Sequence, residues 1–230
     1  MANEENTVEL ATTYEQREAR PALPVQGFRR EALEALSDML AEPGWMLEKR
    51  YQGWYHYEDL EAPFWRRTDI SKLKWEGLIP FAPPQAAVQD LRALPPKLHR
   101  ALDVYGQRAG LLLQRDSARV YRDLDEEVRA QGVIWTDLSV AVREHPDLVQ
   151  RYFMTEAVPA TSDKFTALHA AFWSGGTLLY VPKSVTVELP FVSVLWQEMP
   201  QLAVIAPILL IAEAGSSVTL VSELLSMGCT

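Results

Sequence analysis

The sequence predicts an α+β protein in which helices come first and closely spaced β-strands follow. Apolar residues at helical spacing begin at Phe28, whereas short β-branched runs separated by turn residues fill the chain after Trp173. Nothing of helix length separates those runs, which argues against a βαβ series. Short strands without crossover helices are typical of either a sandwich or a parallel β-solenoid.

The first 109 residues are predicted to be an arm and a helical region. Residues 1–27 are acidic at first and then proline-containing, which predicts a flexible arm. Residues 28–109 are predicted to be helical, with three helices: one from Phe28 to the stop at Pro43-Gly44, one from Trp45 toward Leu60, and one between Pro95 and Gly106. The second helix carries an aromatic stripe, which we interpret as core packing rather than as a stacking surface for bases or sugars.

Residues 110–163 are predicted to mix strands and short helices. The predicted elements are strands at Gly110–Gln114, Ala118–Arg122 and Val133–Trp135, followed by helices at Ser139–His145 and Pro146–Phe153. The loop that ends this region places Asp163 where a helix needs an N-cap acceptor.

Residues 164–230 are predicted to be a helix followed by a stack of strands. The helix is Lys164–Trp173, and the strand runs are Thr177–Val181, Val185–Leu189, Phe191–Trp196, Ile208–Ala212 and Val218–Leu220. The pattern stops at Thr230 in mid-stack, so we expect the chain to hold only the first coils of a truncated strand region. A fragment that ended there is expected to aggregate or to associate obligately, since a solenoid needs a capped end.

Charge and cysteine usage exclude several classes of protein. The formal net charge of −9 disfavours nonspecific binding to nucleic acid or to an anionic membrane. The single cysteine, Cys229, precludes an internal disulfide, and with no signal segment it predicts a cytoplasmic protein. The most apolar stretch, Leu189 to Ala214, is interrupted by polar residues and prolines, so no membrane span is predicted.

The sequence offers no recognisable catalytic or metal-binding motif. The four histidines, His56, His99, His145 and His169, are scattered and are interpreted as structural, with His169 expected to be buried and hydrogen-bonded. Arg66 and Arg67 are able to contact an anion, but a solvated or ion-paired structural role is favoured. No catalytic residue and no metal ligand is therefore predicted.

Four stretches of the chain together resemble the SufB/SufD family of iron-sulfur cluster assembly proteins. They are Trp45-Met-Leu-Glu-Lys-Arg50, Trp65-Arg-Arg-Thr-Asp-Ile-Ser71, Ala141-Val-Arg-Glu-His-Pro-Asp-Leu-Val149 with Tyr152-Phe153, and Lys164-Phe-Thr-Ala-Leu-His169 continuing through Ser174-Gly-Gly-Thr177 to Val187-Glu188. The second stretch is more similar to the SufD branch of the family.

The resemblance implies a helical amino-terminal region followed by a right-handed parallel β-helix, of which residues 164–230 would be the first coils. It implies a noncatalytic scaffold subunit of the SUF iron-sulfur cluster assembly complex, paired with a SufB-like paralogue and a SufC-like ABC-type ATPase that hydrolyses the ATP. The iron-sulfur cluster would be assembled transiently on the complex, with no cofactor on this chain alone. Docking and cluster residues are expected after Thr230.

One residue near the end of the chain is a candidate for sulfur handling. Gly228-Cys229-Thr230 resembles a SufB segment whose cysteine is linked to sulfur, although Met227 replaces the usual glutamate. The readings that remain open are a β-solenoid enzyme acting on polysaccharide, a self-assembling structural solenoid, and a homodimer of this chain.

Overall fold

A computed structural model of the chain describes residues 25–72 and 74–226. Most of the predicted arm and Cys229 lie outside those residues. Seven α-helices are present in the described part: α1 (Arg30–Met39), α2 (Gly44–Asp59), α3 (Pro96–Tyr105), α4 (Glu126–Ala130), α5 (Leu138–Glu144), α6 (Pro146–Tyr152) and α7 (Lys164–Phe172). The three predicted amino-terminal helices and the predicted helix after Asp163 are confirmed.

In the same described ranges, seven strands follow or interleave with these helices and form two mixed sheets. The strands are β1 (Gly110–Arg115), β2 (Ala118–Leu124), β3 (Ile134–Asp137), β4 (Thr177–Val181), β5 (Phe191–Gln197), β6 (Ile208–Ala212) and β7 (Leu220–Ser226). One sheet has the order β2-β1-β5-β7 and the other the order β3-β4-β6. The α+β class, with helices preceding mixed sheets, is thus confirmed.

The later strands alternate between the two sheets and pair in parallel. Strand β4 pairs with β6 from Thr177 opposite Ile208, and β5 pairs with β7 from Phe191 opposite Leu220. Strand β1 lies parallel to β5 on its other side, while the pairs β1–β2 and β3–β4 are antiparallel. The path of the chain from β4 in one sheet to β5 in the other is therefore repeated by β6 and β7.

One predicted strand was wrong and one was displaced. Residues 185–189 form no strand and contribute a single parallel bridge, Thr186 to Ser217. Ser184, at a φ of 61°, and Pro190, which lacks an N–H donor, bracket this stretch, so it turns the corner from β4 to β5. The final strand begins at Leu220, where the predicted run ended, because it extends the ladder of β5 to Ser226.

Helix α4 was missed because five residues are too few to show an apolar periodicity. Its start is nevertheless well defined. The Asp125 carboxylate accepts from the backbone N–H of Glu127 at 2.9 Å and of Val128 at 3.1 Å, which is an N-cap.

The core has a helical part and a sheet part. In the helical part, Leu33 and Leu36 of α1 pack with Trp54 of α2 and Phe172 of α7. The Trp54 and Phe172 rings meet edge to face at 5.9 Å, which confirms that the aromatic stripe of α2 supplies core packing. In the sheet part, both sheets contribute to one buried cluster that includes Leu112, Trp135, Leu179 and Phe191.

Candidate interaction surface

Helices α2 and α7 pack against each other and are held together by a buried arginine. The guanidinium of Arg50 donates to both carboxylate oxygens of Glu42 at 2.7 Å, and both side chains are fully buried. It also donates to the carbonyl oxygens of Ala171 at 2.8 Å and Trp173 at 3.0 Å, at the carboxyl end of α7. The last residue of the Trp45–Arg50 motif therefore caps a distant helix.

The first turn of α7 is fixed by its own residues. The Asp163 carboxylate accepts from the N–H of Phe165 at 2.7 Å and of Thr166 at 2.8 Å, and the Thr166 hydroxyl lies 3.0 Å from the Asp163 N–H. This is a complete capping box, and the predicted N-cap is confirmed. Lys164 extends from the same turn to the carbonyl oxygens of Tyr57 and Leu60.

The turn after α7 sets the position of β4 against β1. Gln114 of β1 accepts from the Gly176 N–H at 2.7 Å, and its amide group donates to the Asp116 carbonyl at 2.8 Å. Gly175 and Gly176 have φ values of 69° and 87°, and a Cβ on Gly176 would lie 2.4 Å from the Pro207 oxygen. The two glycines therefore allow the tight turn that connects α7 to β4.

Within the described residues, β6 and β7 each form one edge of their sheet, and β3 and β2 form the opposite edges. Each has one partner strand, so its outer backbone N–H and C=O groups are available for pairing. Three large apolar side chains are exposed on β6 and β7: Ile208 at 48%, Leu210 at 44% and Leu224 at 72%. Apolar side chains on an unpaired strand edge suit strand addition.

Polar side chains frame the edge at β7. The Tyr105 hydroxyl at the end of α3 donates to Glu223 at 2.9 Å, and that hydrogen bond raises the pKa of Tyr105. Lys97, also on α3, donates to the Ser226 carbonyl at 2.5 Å. On β4, Tyr180 donates to Glu213 at 2.9 Å, which likewise raises the pKa of the tyrosine. The carboxylates near the open edges are thus held by neighbours and act as positioned acceptors.

The amino-acid sequence of the chain matches known proteins. Residues 116–192 match the family described as the SufBD protein N-terminal region. Iron-sulfur cluster assembly protein SufD of Bacillus subtilis is 35% identical over 196 residues, covering 85% of this chain and 45% of that protein. The chain belongs to the SufB/SufD family.

Two further relatives define its place among SufB/SufD proteins. Iron-sulfur cluster assembly protein SufB of Bacillus subtilis is 31% identical over 173 residues, 72% of this chain and 37% of that protein. An iron-sulfur cluster assembly SufBD family protein of Staphylococcus saprophyticus is 30% identical over 213 residues, 89% of this chain and 44% of that protein. Identity to SufD exceeds identity to SufB of the same organism. The chain spans less than half the length of each of these relatives.

The motifs that carry the SufB/SufD resemblance do mostly structural work in this fold. Arg50 and Lys164 bind helix ends, and the Gly175-Gly176 turn leads into β4. The roles of Arg50 and Lys164 were missed by sequence reasoning. At the helix ends, both residues donate to backbone carbonyls more than 100 residues away, which no local pattern encodes.

The other predicted candidates of this SufB/SufD chain are not brought together. Cys229 lies outside the described residues, so its sulfur-handling role stays a prediction. His169 is partly buried, and burial lowers its pKa. The expected hydrogen bond is missing at one ring nitrogen, because Nε2 is buried without a partner. Among residues 25–72 and 74–226, no cluster of three or more His, Cys, Asp or Glu side chains is placed to hold a metal ion.

Arg66 and Arg67 lie on an exposed turn, and neither forms a salt bridge with a described residue. Their predicted solvated role fits this placement. No helix in the described part of the chain is both long and apolar enough to cross a membrane.

Proposed function

We propose that this chain is part of a noncatalytic scaffold subunit of the SUF system for iron-sulfur cluster assembly. The observation that carries the proposal is its relationship to proteins named for iron-sulfur cluster assembly, over 85% of the chain for SufD. In this proposal the packed helices α2 and α7 support the strands, and the strands form the surface on which assembly takes place. The cluster is cargo built on the whole complex in the cytoplasm.

We further propose that β4 to β7 are the first two coils of a right-handed parallel β-helix. Three features support this proposal: the parallel register of β4 with β6, that of β5 with β7, and the parallel bridge of Thr186 with Ser217 at the corner between them. In a β-helix each coil buries its edge against the next. The exposed Ile208, Leu210 and Leu224 would then be covered by a following coil or by a partner.

The proposed partners are a SufB-like paralogue and a SufC-like ABC-type ATPase. A scaffold role leaves ATP hydrolysis to that ATPase and requires no catalytic group on this chain. A polysaccharide-acting solenoid is poorly served by the strand region, where Glu198 is paired with Arg115 and Glu213 and Glu223 accept from tyrosines. These carboxylates do not form the opposed acid pair that glycoside hydrolysis uses.

The test is coexpression of the complete gene product with its SufB-like and SufC-like neighbours, followed by size-exclusion chromatography with light scattering. A stable complex containing all three at micromolar concentration is the expected result. A SUF scaffold role would be abandoned if the gene product eluted alone under those conditions while the other two proteins bound each other.

A further inference from the structure

The loop after α2 is basic in an otherwise acidic chain. We define the basic loop as residues 64–72, which carry Arg66, Arg67 and Lys72 against a single carboxylate, Asp69, in a chain of net charge −9. Each of these three cations is exposed, and none forms an ion pair with a described residue. The loop therefore has two more cations than carboxylates, although Glu61 precedes it and Glu76 follows it in the sequence.

Two successive turns hold the basic loop in shape. The Thr68 N–H donates to the Trp65 carbonyl at 3.1 Å, which closes a turn with Arg66 and Arg67 at its centre. Asp69 then accepts from the N–H of Ser71 at 3.0 Å and from its hydroxyl at 2.6 Å. A loop fixed in this way loses little conformational entropy when it binds a partner.

Aromatic stacking attaches the basic loop to helix α7. The Trp65 ring stacks on the Phe165 ring at 5.4 Å with an interplanar angle of 15°, and Phe165 lies 5.6 Å from Trp75. Between the loop and Trp75 is an open groove of about 840 Å³. Phe64 lies beside this groove with 91% of its surface exposed. The groove thus combines an aromatic wall, an exposed ring and two guanidinium groups without an ion-pair partner among the described residues, and Asp69 and Glu76 also line it.

We propose that this groove binds an acidic segment of a partner polypeptide. The segment would place an apolar side chain against Phe64 and Trp65 and carboxylates against Arg66 and Arg67. Charge complementarity selects this occupant, since guanidinium groups bind carboxylates through paired hydrogen bonds. A net charge of −9 repels every anionic partner, but it repels the extended phosphate surfaces of nucleic acid and anionic membranes more strongly than a short acidic segment that carries few charges.

The groove is separate from the surface of the proposed scaffold function. Its lining runs from Ala62 to Ser71 with Trp75 and Glu76, and includes no residue of β6 or β7. Loss of binding in the groove would therefore leave assembly through the strand edges unaffected, and the two proposals fail separately.

The test uses a fluorescein-labelled peptide in which glutamates flank a central leucine, and a matched peptide with lysines in place of the glutamates. Binding to the full chain is measured by fluorescence anisotropy at low ionic strength, where screening is weak. The test variant is Arg66→Glu with Arg67→Glu. The matched control is Arg100→Glu with Lys183→Glu, which changes net charge equally at two exposed positions outside the groove. A third variant, Phe64→Ser, tests the apolar contact.

We expect the acidic peptide to bind the wild type and the control variant, and to lose at least tenfold in affinity for the Arg66/Arg67 variant. The Phe64 variant should lose severalfold, and the lysine peptide should not bind. The proposal of a peptide-binding groove would be wrong if the control variant lost as much affinity as the Arg66/Arg67 variant. It would also be wrong if inorganic phosphate displaced the peptide completely. Tighter peptide binding after deletion of residues 1–20 would show that the chain's own acidic amino-terminal segment competes for the groove. That result would contradict the proposal that a partner polypeptide binds there.

Discussion

Lys164 closes the end of the helix to which Tyr57 belongs. Its Nζ lies 2.7 Å from the Tyr57 carbonyl oxygen and 4.5 Å from the centre of the Tyr57 ring. A second hydrogen bond of 2.7 Å reaches the Leu60 carbonyl. A cation at this position satisfies carbonyl groups that have no partner inside the helix and opposes the negative end of the helix dipole.

The same pair of helices is tied in the opposite direction by Arg50. Arg50 lies on α2 and donates to the carboxyl end of α7, while Lys164 lies on α7 and donates to the carboxyl end of α2. Each cation also faces an aromatic ring: the Arg50 guanidinium is 4.6 Å from the centre of the Trp173 ring. Reciprocal capping fixes both the distance and the register of the two helices.

Replacement of Lys164 by methionine is expected to lower the free energy of unfolding by about 1–2 kcal/mol, because the carbonyl groups of Tyr57 and of the C-cap residue Leu60 lose their donor. Methionine retains most of the side chain's apolar stem, so the change reports mainly on the ammonium group. Urea denaturation followed by tryptophan fluorescence measures the effect. The exposed Lys183→Met variant is the control and should stay within about 0.5 kcal/mol of the wild type.

Replacement of Arg50 by methionine is expected to cost about 3–5 kcal/mol, because Glu42 then remains buried without its counter-charge. The double variant Arg50→Met with Glu42→Met removes that unpaired charge and should recover part of the loss. Chemical denaturation of the wild type, the two single variants Arg50→Met and Glu42→Met, and the double variant closes a double-mutant cycle. A double variant no more stable than Arg50→Met would show that the lost caps on Ala171 and Trp173, and not the ion pair, dominate.

Local signals in the sequence were sufficient for many elements of the fold. Strands β4 and β6 were predicted with their observed limits, since β-branched runs there are bounded by turn residues. Asp163 was predicted as an N-cap because its partners lie within three residues. The strand prediction at residues 185–189 was wrong because the same composition forms a corner there. The direction of this corner is set by Ser184 and by the bridge to Ser217.

Long-range contacts limited what the sequence revealed about the candidate surfaces. Arg50 bonds to a carbonyl 121 residues away, and a carbonyl has no side-chain identity that a pattern would display. Likewise, Trp65 was visible as part of a motif, but its stacking on Phe165 depends on how α7 packs. Family resemblance found the residues, and the fold supplied their roles.

Close approach of the two helices depends on a glycine. A Cβ on Gly53 would lie 2.8 Å from the Ala170 Cβ and 2.9 Å from the Ala171 nitrogen. Gly53→Ala is therefore expected to destabilise the protein by about 1–3 kcal/mol, despite the better helix propensity of alanine. Gly77→Ala is the matched control, since nothing lies within 4 Å of its Cβ position. Thermal unfolding should show a lower Tm for the first variant alone, and equal Tm values would mean that the helices separate without cost.

Burial of His169 predicts a pH dependence of stability. Burial lowers its pKa in the folded protein below the value of about 6.5 expected for the unfolded chain. The unfolded state then binds the proton more readily, so the contribution of His169 is fully present above pH 6.5 and is lost as pH falls through the lowered folded pKa. Nε2 has no partner that would favour the charged ring.

His169→Gln removes this titration and keeps a polar side chain of similar length. The free energy of unfolding of the wild type minus that of the variant should be constant above pH 6.5 and should decrease steadily in more acidic buffers. Urea midpoints collected across this range for both proteins provide the difference, and titration of all other groups cancels in it. Parallel curves throughout would show that protonation of His169 is not linked to folding, and that the ring reaches water while α7 stays packed.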